Sequence, residues 1–453
     1  MESVKRLLTR FSRWQYFALF LLVLVMLVLH LSIIMQPDEP LFDEMHYIPD
    51  ARLIIDDNIT ERPEHPPLGK LFVVAGIKLF GDNPIGWRLI AVLFGATGTV
   101  LFYLICRRLN LSKRVSFLAT FLVSLENLSF VQGSIAMLDV YSLTFALAAF
   151  WLYLRERYVM SGVAVALSAL AKLNGALAIV VIVLHWFLAD RKRPRRFLAS
   201  MLSAPASFLL LLPLLDFAIW QKWLNPVEQI RNMLSLTASI TYASSATDIA
   251  SRPWEWIFTY PEVMEVMPYW WTPPYTGIIS PTIWALIIPV AIYITYKAIK
   301  GNTPVLFPFA WFVGSYLVWI PASLITDRVT YVFYFYHTVG AICIGLGIIL
   351  LRLVDIAAAR ERGKLRQLIK WGVPVYLLLH LIAFIVITPL PPLSIVWQEA
   401  PYITTTPESA WWSILLYFLL YIFALRFTGI TKWPRSGDGI VLPQNQVDKP
   451  PQQ

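Results

Sequence analysis

The chain has 453 residues, 58% of them hydrophobic and only 14% charged. A soluble domain carries about 25% charge, so the composition excludes a soluble globular protein and leaves a multi-pass membrane protein. The formal net charge of +9 does not indicate nucleic acid, because the basic residues sit in short clusters between apolar runs and form no single stripe.

A transmembrane helix needs roughly 20 apolar residues. The first run, 14–35, is too long for a signal-peptide core and lacks a small-residue cleavage site, so it reads as a retained anchor. Lys5, Arg6, Arg10 and Arg13 precede it and hold the N-terminus in the cytoplasm. Further spans are predicted at 86–106, 114–126, 135–154, 159–173, 174–189, 197–220, 280–298, 304–323, 330–352, 371–390 and 411–427, which makes twelve. The charges test this count independently. Arg107, Arg108, Lys113, Arg114, Arg155, Arg157, "RKRPRR" (191–196), Lys297, Lys300, "RERGKLRQLIK" (360–370), Arg426, Lys432 and Arg435 all fall on the inner side, and most acids fall outside. Residues 158–189 are almost continuously apolar with basic flanks at both ends. Two short helices turning at "AKLNG" (171–175) keep both flanks inside and bring Lys172 and Asn174 to the outer face.

The organisation that follows is a cytoplasmic N-terminus (1–13), an N-terminal transmembrane module (14–245) with an outer loop at 37–85, a C-terminal four-helix transmembrane region with its own external loop (246–430), and a polar, proline-containing cytoplasmic tail (431–453) expected to be disordered. Within the first outer loop, "LGKLFVVAGIKLF" (68–80) is too short to span and is expected to lie on the membrane surface. The outer loop at 221–279 is rich in Trp, Tyr and Pro, an interfacial composition. No internal repeat is visible and ionisable groups sit at helix ends, both of which count against a transporter. Cys106 and Cys343 lie in apolar segments, so no external disulfide framework is expected.

The stretch "PDEPLFDEMHYIPDARLIIDDN" (37–58) crowds seven carboxylates directly after the first span. Keeping bases inside explains some of these acids, but not the adjacent Asp43 and Glu44 in a segment set against the membrane. A carboxylate beside lipid is poorly solvated and suits general-base work. In "EHPPLGK" (64–70) His65 precedes two prolines and is held extended. "GWRL" (86–89) puts Arg88 at the outer mouth of a span, where a guanidinium can grip a phosphate or anchor the interface. "ENLSFVQGSIAMLDV" (126–140) sets Glu126 and Asp139 around an outer loop, with Asp139 at a helix start. Asp43, Glu44, His46 and His65 offer metal-ligating atoms, but their spacing matches no metal signature, and no metal is expected.

Taken together, "FDEMHY", "EHPPLGKLFVVAGIKLFG" and "GWRL" resemble the first luminal loop and second helix of dolichyl-phosphate-mannose–protein O-mannosyltransferases. "SLENLSFVQGSIAMLDVYSLTFALAAF" resembles their third and fourth helices, and "SRPWEWIF" (251–258) and "YVFYFYHTVGAICIGLG" (331–347) their C-terminal region. The resemblance implies an all-α polytopic GT-C-type glycosyltransferase fold with about 11–12 transmembrane helices and surface helices in a large first external loop. It implies inverting, metal-free transfer of mannose from a polyprenyl (dolichyl) phosphate to Ser or Thr hydroxyls of a protein acceptor. The catalytic acids would be Asp43 and Glu44, with Arg88 and Lys172 on the donor phosphate. His65, Asp139, Arg328 and His337 would support the site. Eukaryotic members insert a β-trefoil domain in the large loop, which 221–279 is too short to hold, so a prokaryotic plasma-membrane enzyme active on the extracytoplasmic side is expected. The alternative is the same fold acting on a lipid or glycan acceptor, as in lipid A modification. Membrane lipids are partners, and a dimer is compatible with the sequence.

Overall fold

The computed structural model describes residues 14–189, 193–245, 247, 249–259, 275–359, 363–390 and 407–430. The expected cytoplasmic N-terminus (1–13), the tail (431–453) and residues 246, 248 and 260–274 of the aromatic 221–279 loop lie outside the described residues. The described residues carry helices and one isolated bridge pair, Thr241 with Arg328.

Every predicted span coincides with a helix or a broken helix. The N-terminal module contains α1 (Trp14–Ile33), α2 (Glu44–Asp56), α3 (Pro67–Phe80), α4 (Pro84–Arg108), α5 (Lys113–Ser124), α6 (Asn127–Ser134), α7 (Leu138–Leu154), α8 (Tyr158–Ala171), α9 (Leu177–Leu188), α10 (Pro194–Trp220) and α11 (Pro226–Ser239). The C-terminal part contains α12 (Ile287–Ile299), α13 (Thr303–Phe312), α14 (Trp319–Thr326), α15 (Tyr336–Ala358), α16 (Lys364–Ile387) and α17 (Pro407–Thr428). Among the described residues seven helical stretches are long and apolar enough to cross a membrane, or eight if the bent α5–α6 pair is one span; four shorter apolar helices complete the set. The chain is an integral, multi-pass membrane protein.

Local signals explain the boundaries. Asn83 accepts hydrogen bonds from the Ile85 and Gly86 amides and Pro84 opens α4, which satisfies donors that a helix start leaves orphaned. The Ser112 hydroxyl caps α5 in the same way. Between α5 and α6 the axis bends by 63°. There the Glu126 carboxylate accepts the amides of Leu128 and Ser129 and, across the fold, that of Ser280. The sequence placed no helix at α6 or α11, and in the 37–85 loop, where surface helices were expected, it located one only at 68–80 and not α2. The apolar positions of α2, α6 and α11 are too few to stand out beside membrane-length runs.

The turn predicted at "AKLNG" is where α8 ends. Lys172 is extended (φ −156°, ψ 135°), and a 3-10 turn over Leu173–Ala176 leads into α9. The two helices diverge rather than pair along their length: α8 packs on α7 and α10, α9 mainly on α13. The start of α3 meets this break closely. A Cβ on Gly69 would lie 2.6 Å from the carbonyl oxygen of Ala171, so only glycine lets the two backbones approach. That approach carries the His65 turn toward Lys172. Helix α15 packs on α5 and ties the two halves together. Cys106 and Cys343 are buried free thiols.

Candidate active site

The adjacent acids Asp43 and Glu44 part company at the start of α2. Phe42 has φ of 50°, a left-handed conformation that a bulky residue adopts only when its surroundings impose it. The turn sends Asp43 toward a cavity and Glu44 into the protein. Glu44 is fully buried and pairs with the equally buried Arg88 at 2.9 Å. Its oxygens also accept the amides of Leu41 (3.0 Å) and Ala136 (2.7 Å). Arg88 uses its remaining N–H groups on the carbonyls of Ile34 (3.1 Å), Pro37 (2.7 Å) and Glu39 (3.0 Å). This pair is a knot that fastens residues 34–44 onto α4.

A cavity of about 640 Å³ opens beside Asp43, a size that suits a bound organic ligand. Arg62, Glu64, His65, Lys172 and Arg328 line it with Asp43, and Trp319, Tyr331, Phe333 and Tyr334 form an aromatic wall. Each cation is held by its own device. Lys172 Nζ lies 2.5 Å from the buried Asp139 Oδ2 and 5.5 Å from the Tyr334 ring centre. Arg328 donates to the Thr237 carbonyl, and the Val329 amide donates to Ile240 (3.1 Å), so the end of α11 and the segment after α14 are joined. Arg62 donates to His46 Nδ1 at 2.7 Å and sits 3.9 Å from Glu64.

The 57–66 segment that carries Arg62 is pinned from below. Buried Lys70 donates to Thr60 Oγ1 (2.8 Å) and to the Arg62 carbonyl (2.9 Å). Asp50, 3.9 Å from Lys70, accepts the Thr60 hydroxyl at 2.8 Å and the Glu61 amide at 2.6 Å. Burial lowers the Lys70 ammonium to about 8, against the pull of Asp50, Glu64 and Asp216. His65 is held well below its ordinary value by burial and then by Lys172, Lys70, Arg328 and Arg62, so it is neutral at neutral pH.

Of the residues singled out in the sequence, Asp43, His65, Lys172 and Arg328 meet at the cavity. Asp139 stands behind Lys172 as its counter-ion. Three expectations need correction. Arg88 is not positioned to clamp a phosphate, since its donors are engaged by Glu44 and three carbonyls and it lines no part of the cavity. Glu44 likewise faces Arg88 and not the cavity. His337 is buried one layer back, its Nε2 3.4 Å from the Ser142 hydroxyl. Sequence reading missed Arg62 and Glu64 as site residues. Their nearness to "HPPLG" was the available signal, but their convergence with Arg328 requires the fold. It also missed Asn174, a residue of the cavity lining whose buried carboxamide oxygen has no hydrogen-bond partner among the described residues. Among those residues no group of three or more His, Cys, Asp and Glu side chains is arranged to hold a metal.

Residues 64–220 match the dolichyl-phosphate-mannose-protein mannosyltransferase family. The polyprenol-phosphate-mannose–protein mannosyltransferase of Mycolicibacterium smegmatis is 38% identical over 117 residues, covering 24% of this chain and 23% of that protein. That of Mycobacterium tuberculosis is 33% identical over 143 residues, covering 30% and 27%. The matched region thus spans about a quarter of the length of these relatives. Among solved structures, the Saccharomyces cerevisiae protein O-mannosyltransferase Pmt1–Pmt2 complex bound to the sugar donor superposes with a TM-score of 0.64 at 10% identity, over 82% of this chain and 89% of that one. ArnT from Cupriavidus metallidurans bound to undecaprenyl phosphate gives 0.51 at 16% identity, over 93% and 78%. These likenesses establish the GT-C-type fold.

Proposed function

We propose that this protein is an inverting membrane glycosyltransferase that moves mannose from a polyprenyl phosphate to Ser or Thr hydroxyls of a protein acceptor. The observation that carries the reading is the cavity itself, where two carboxylates, Asp43 and Glu64, share a pocket with three cations, Arg62, Lys172 and Arg328, and Glu64 lies 3.9 Å from Arg62. Such a site has the two things this chemistry needs: a base for a hydroxyl and positive charge for a departing phosphate. The similarity of 64–220 to polyprenol-phosphate-mannose enzymes supports the donor.

In this mechanism the acceptor hydroxyl approaches the anomeric carbon from the side opposite the phosphate. Its proton passes to an Asp43 carboxylate oxygen as its oxygen bonds to the anomeric carbon. The carbon–oxygen bond to phosphate breaks through an oxocarbenium-like centre, and the polyprenyl phosphate leaves with the electron pair. Arg62, Lys172 and Arg328 hold that phosphate, replacing the role expected of Arg88. The aromatic wall packs on the sugar face. No step requires a metal. Glu44 and Arg88 keep the 34–44 segment, and hence Asp43, in place.

The test is transfer from labelled polyprenyl-phosphate mannose to Ser/Thr peptides by the purified chain in proteoliposomes. Mannosylated peptide supports the reading; label appearing only in lipid or glycan would assign the alternative acceptor, and no release of mannose from the lipid would overturn it. The site is assigned to the extracytoplasmic face because basic clusters occupy the opposite helix ends. A cysteine at Asn174 should therefore react with an impermeant thiol reagent from outside.

A further inference from the structure

Resting on the reading of Asp43 as the acceptor's base, we propose that Tyr47 is the positioning residue of that base, and that His65 in turn holds Tyr47. Asp43 precedes α2 at the position where a carboxylate commonly caps a helix, yet its side chain makes no capping bond. Among the described residues the hydrogen bond its carboxylate accepts comes from the Tyr47 hydroxyl, which donates to Oδ2 at 3.1 Å. The two are four residues apart, the spacing that stacks side chains on successive turns. An unrestrained aspartate next to three cations would swing toward the nearest of them. The phenol prevents that by fixing Oδ2, which leaves Oδ1 for the acceptor hydroxyl.

Tyr47 is itself immobile. It is 2% exposed and packs with Ala91, Leu138 and Ala171. The His65 ring meets it edge-on, with centroids 5.5 Å apart and planes at 80°, and His65 Nε2 lies 3.5 Å from the phenol oxygen. The phenol has one proton and directs it at Asp43, so the bond from His65 must be donated by Nε2–H. That sets the tautomer, and the neutral ring favoured by burial and by the surrounding cations suffices for it. Burial, then the charge of Asp43, raises the Tyr47 phenol well above its ordinary value, so it stays a donor throughout the working pH range. The charged groups facing the pair are Asp139 from α7, Lys172 from the α8–α9 break, Lys70 from α3, Arg62 and Glu64 from the 57–66 segment, with Glu64 Oε1 3.9 Å from His65 Nε2, and Arg328 from beyond α14.

A buried tyrosine could serve as packing alone, and Tyr47→Phe separates the two roles because the ring stays. The assay uses the full chain in proteoliposomes with labelled polyprenyl-phosphate mannose and an acceptor peptide, and reads kcat and donor KM. A misplacement of about 1 Å can cost about a hundredfold, so Tyr47→Phe should lower kcat by about tenfold to a hundredfold with donor KM within about twofold. His65→Gln, which keeps an N–H donor, should lose less than His65→Leu. An active wild type with Tyr47→Phe unchanged in kcat, or lowered in kcat only together with a matching rise in donor KM, overturns the positioning role alone. A wild type that transfers no mannose overturns the proposed function, and this inference with it.

Discussion

Replacing Arg88 separates a structural knot from a ligand-binding arginine. The side chain is fully buried and supplies hydrogen bonds to a buried carboxylate and three backbone carbonyls. Arg88→Met leaves Glu44 as an uncompensated buried charge, a change that costs about 3–5 kcal/mol. Arg88→Lys restores the charge but brings three N–H groups from one nitrogen. At least one of the four acceptors then loses its partner, at about 1–3 kcal/mol. Removing both charges in Glu44→Gln/Arg88→Met should recover part of the loss, since the uncompensated buried charge is gone and the one carboxamide oxygen still accepts either the Leu41 or the Ala136 amide; the double variant should melt above Arg88→Met alone. The assay is thermal unfolding of the detergent-solubilised protein, read beside donor KM for each variant. The expected order of stability is wild type, Arg88→Lys, double variant, Arg88→Met, with donor KM changing little in whatever fraction stays folded. A melting temperature for Arg88→Met within a degree of wild type, with donor KM raised more than tenfold, would refute the reasoning and return Arg88 to the phosphate.

Asp43→Asn keeps the side-chain shape but removes the proton acceptor, so transfer should fall by about a hundred- to ten-thousand-fold while melting and donor binding stay near wild type. Glu44→Gln should instead lower the melting temperature, which a stability scan of the two variants would reveal. Arg62→Gln and Arg328→Gln should each raise donor KM, and the loss should be smaller at high ionic strength because part of the attraction is already screened; equal losses at low and high salt would count against phosphate binding. The acid side of the stability profile tests His65. Folded, it resists protonation, whereas the unfolded chain takes up a proton near pH 6.5. Below that pH the unfolded state binds more protons, so stability should fall as pH drops from about 6.5 toward the low folded-state value. A thermal-shift series in His65→Gln should show a shallower decline.

The sequence alone determined the membrane architecture, because its signal is local. A span is a run of apolar residues, and the bilayer forces such a run to satisfy its backbone as a helix. The apolar runs, the break at "AKLNG" and the helical segment at 68–80 were legible for this reason. The "FDEMHY" stretch was equally visible, since acids next to a span are unusual whatever they touch. Which way each acid points was not. Asp43 and Glu44 are neighbours of the same chemistry, and only the positive φ at Phe42 and the buried guanidinium of Arg88 decide that one faces the cavity and the other the interior. Arg88 looked like a phosphate ligand because an arginine at a span's mouth reads the same whether its partner is a lipid headgroup or a carboxylate 44 residues away in the chain. The cations of the cavity come from the 57–66 segment, the α8–α9 break and the end of α14. Their sequence separation hides them, and only tertiary packing brings their charges within reach of one another, where burial makes each charge matter.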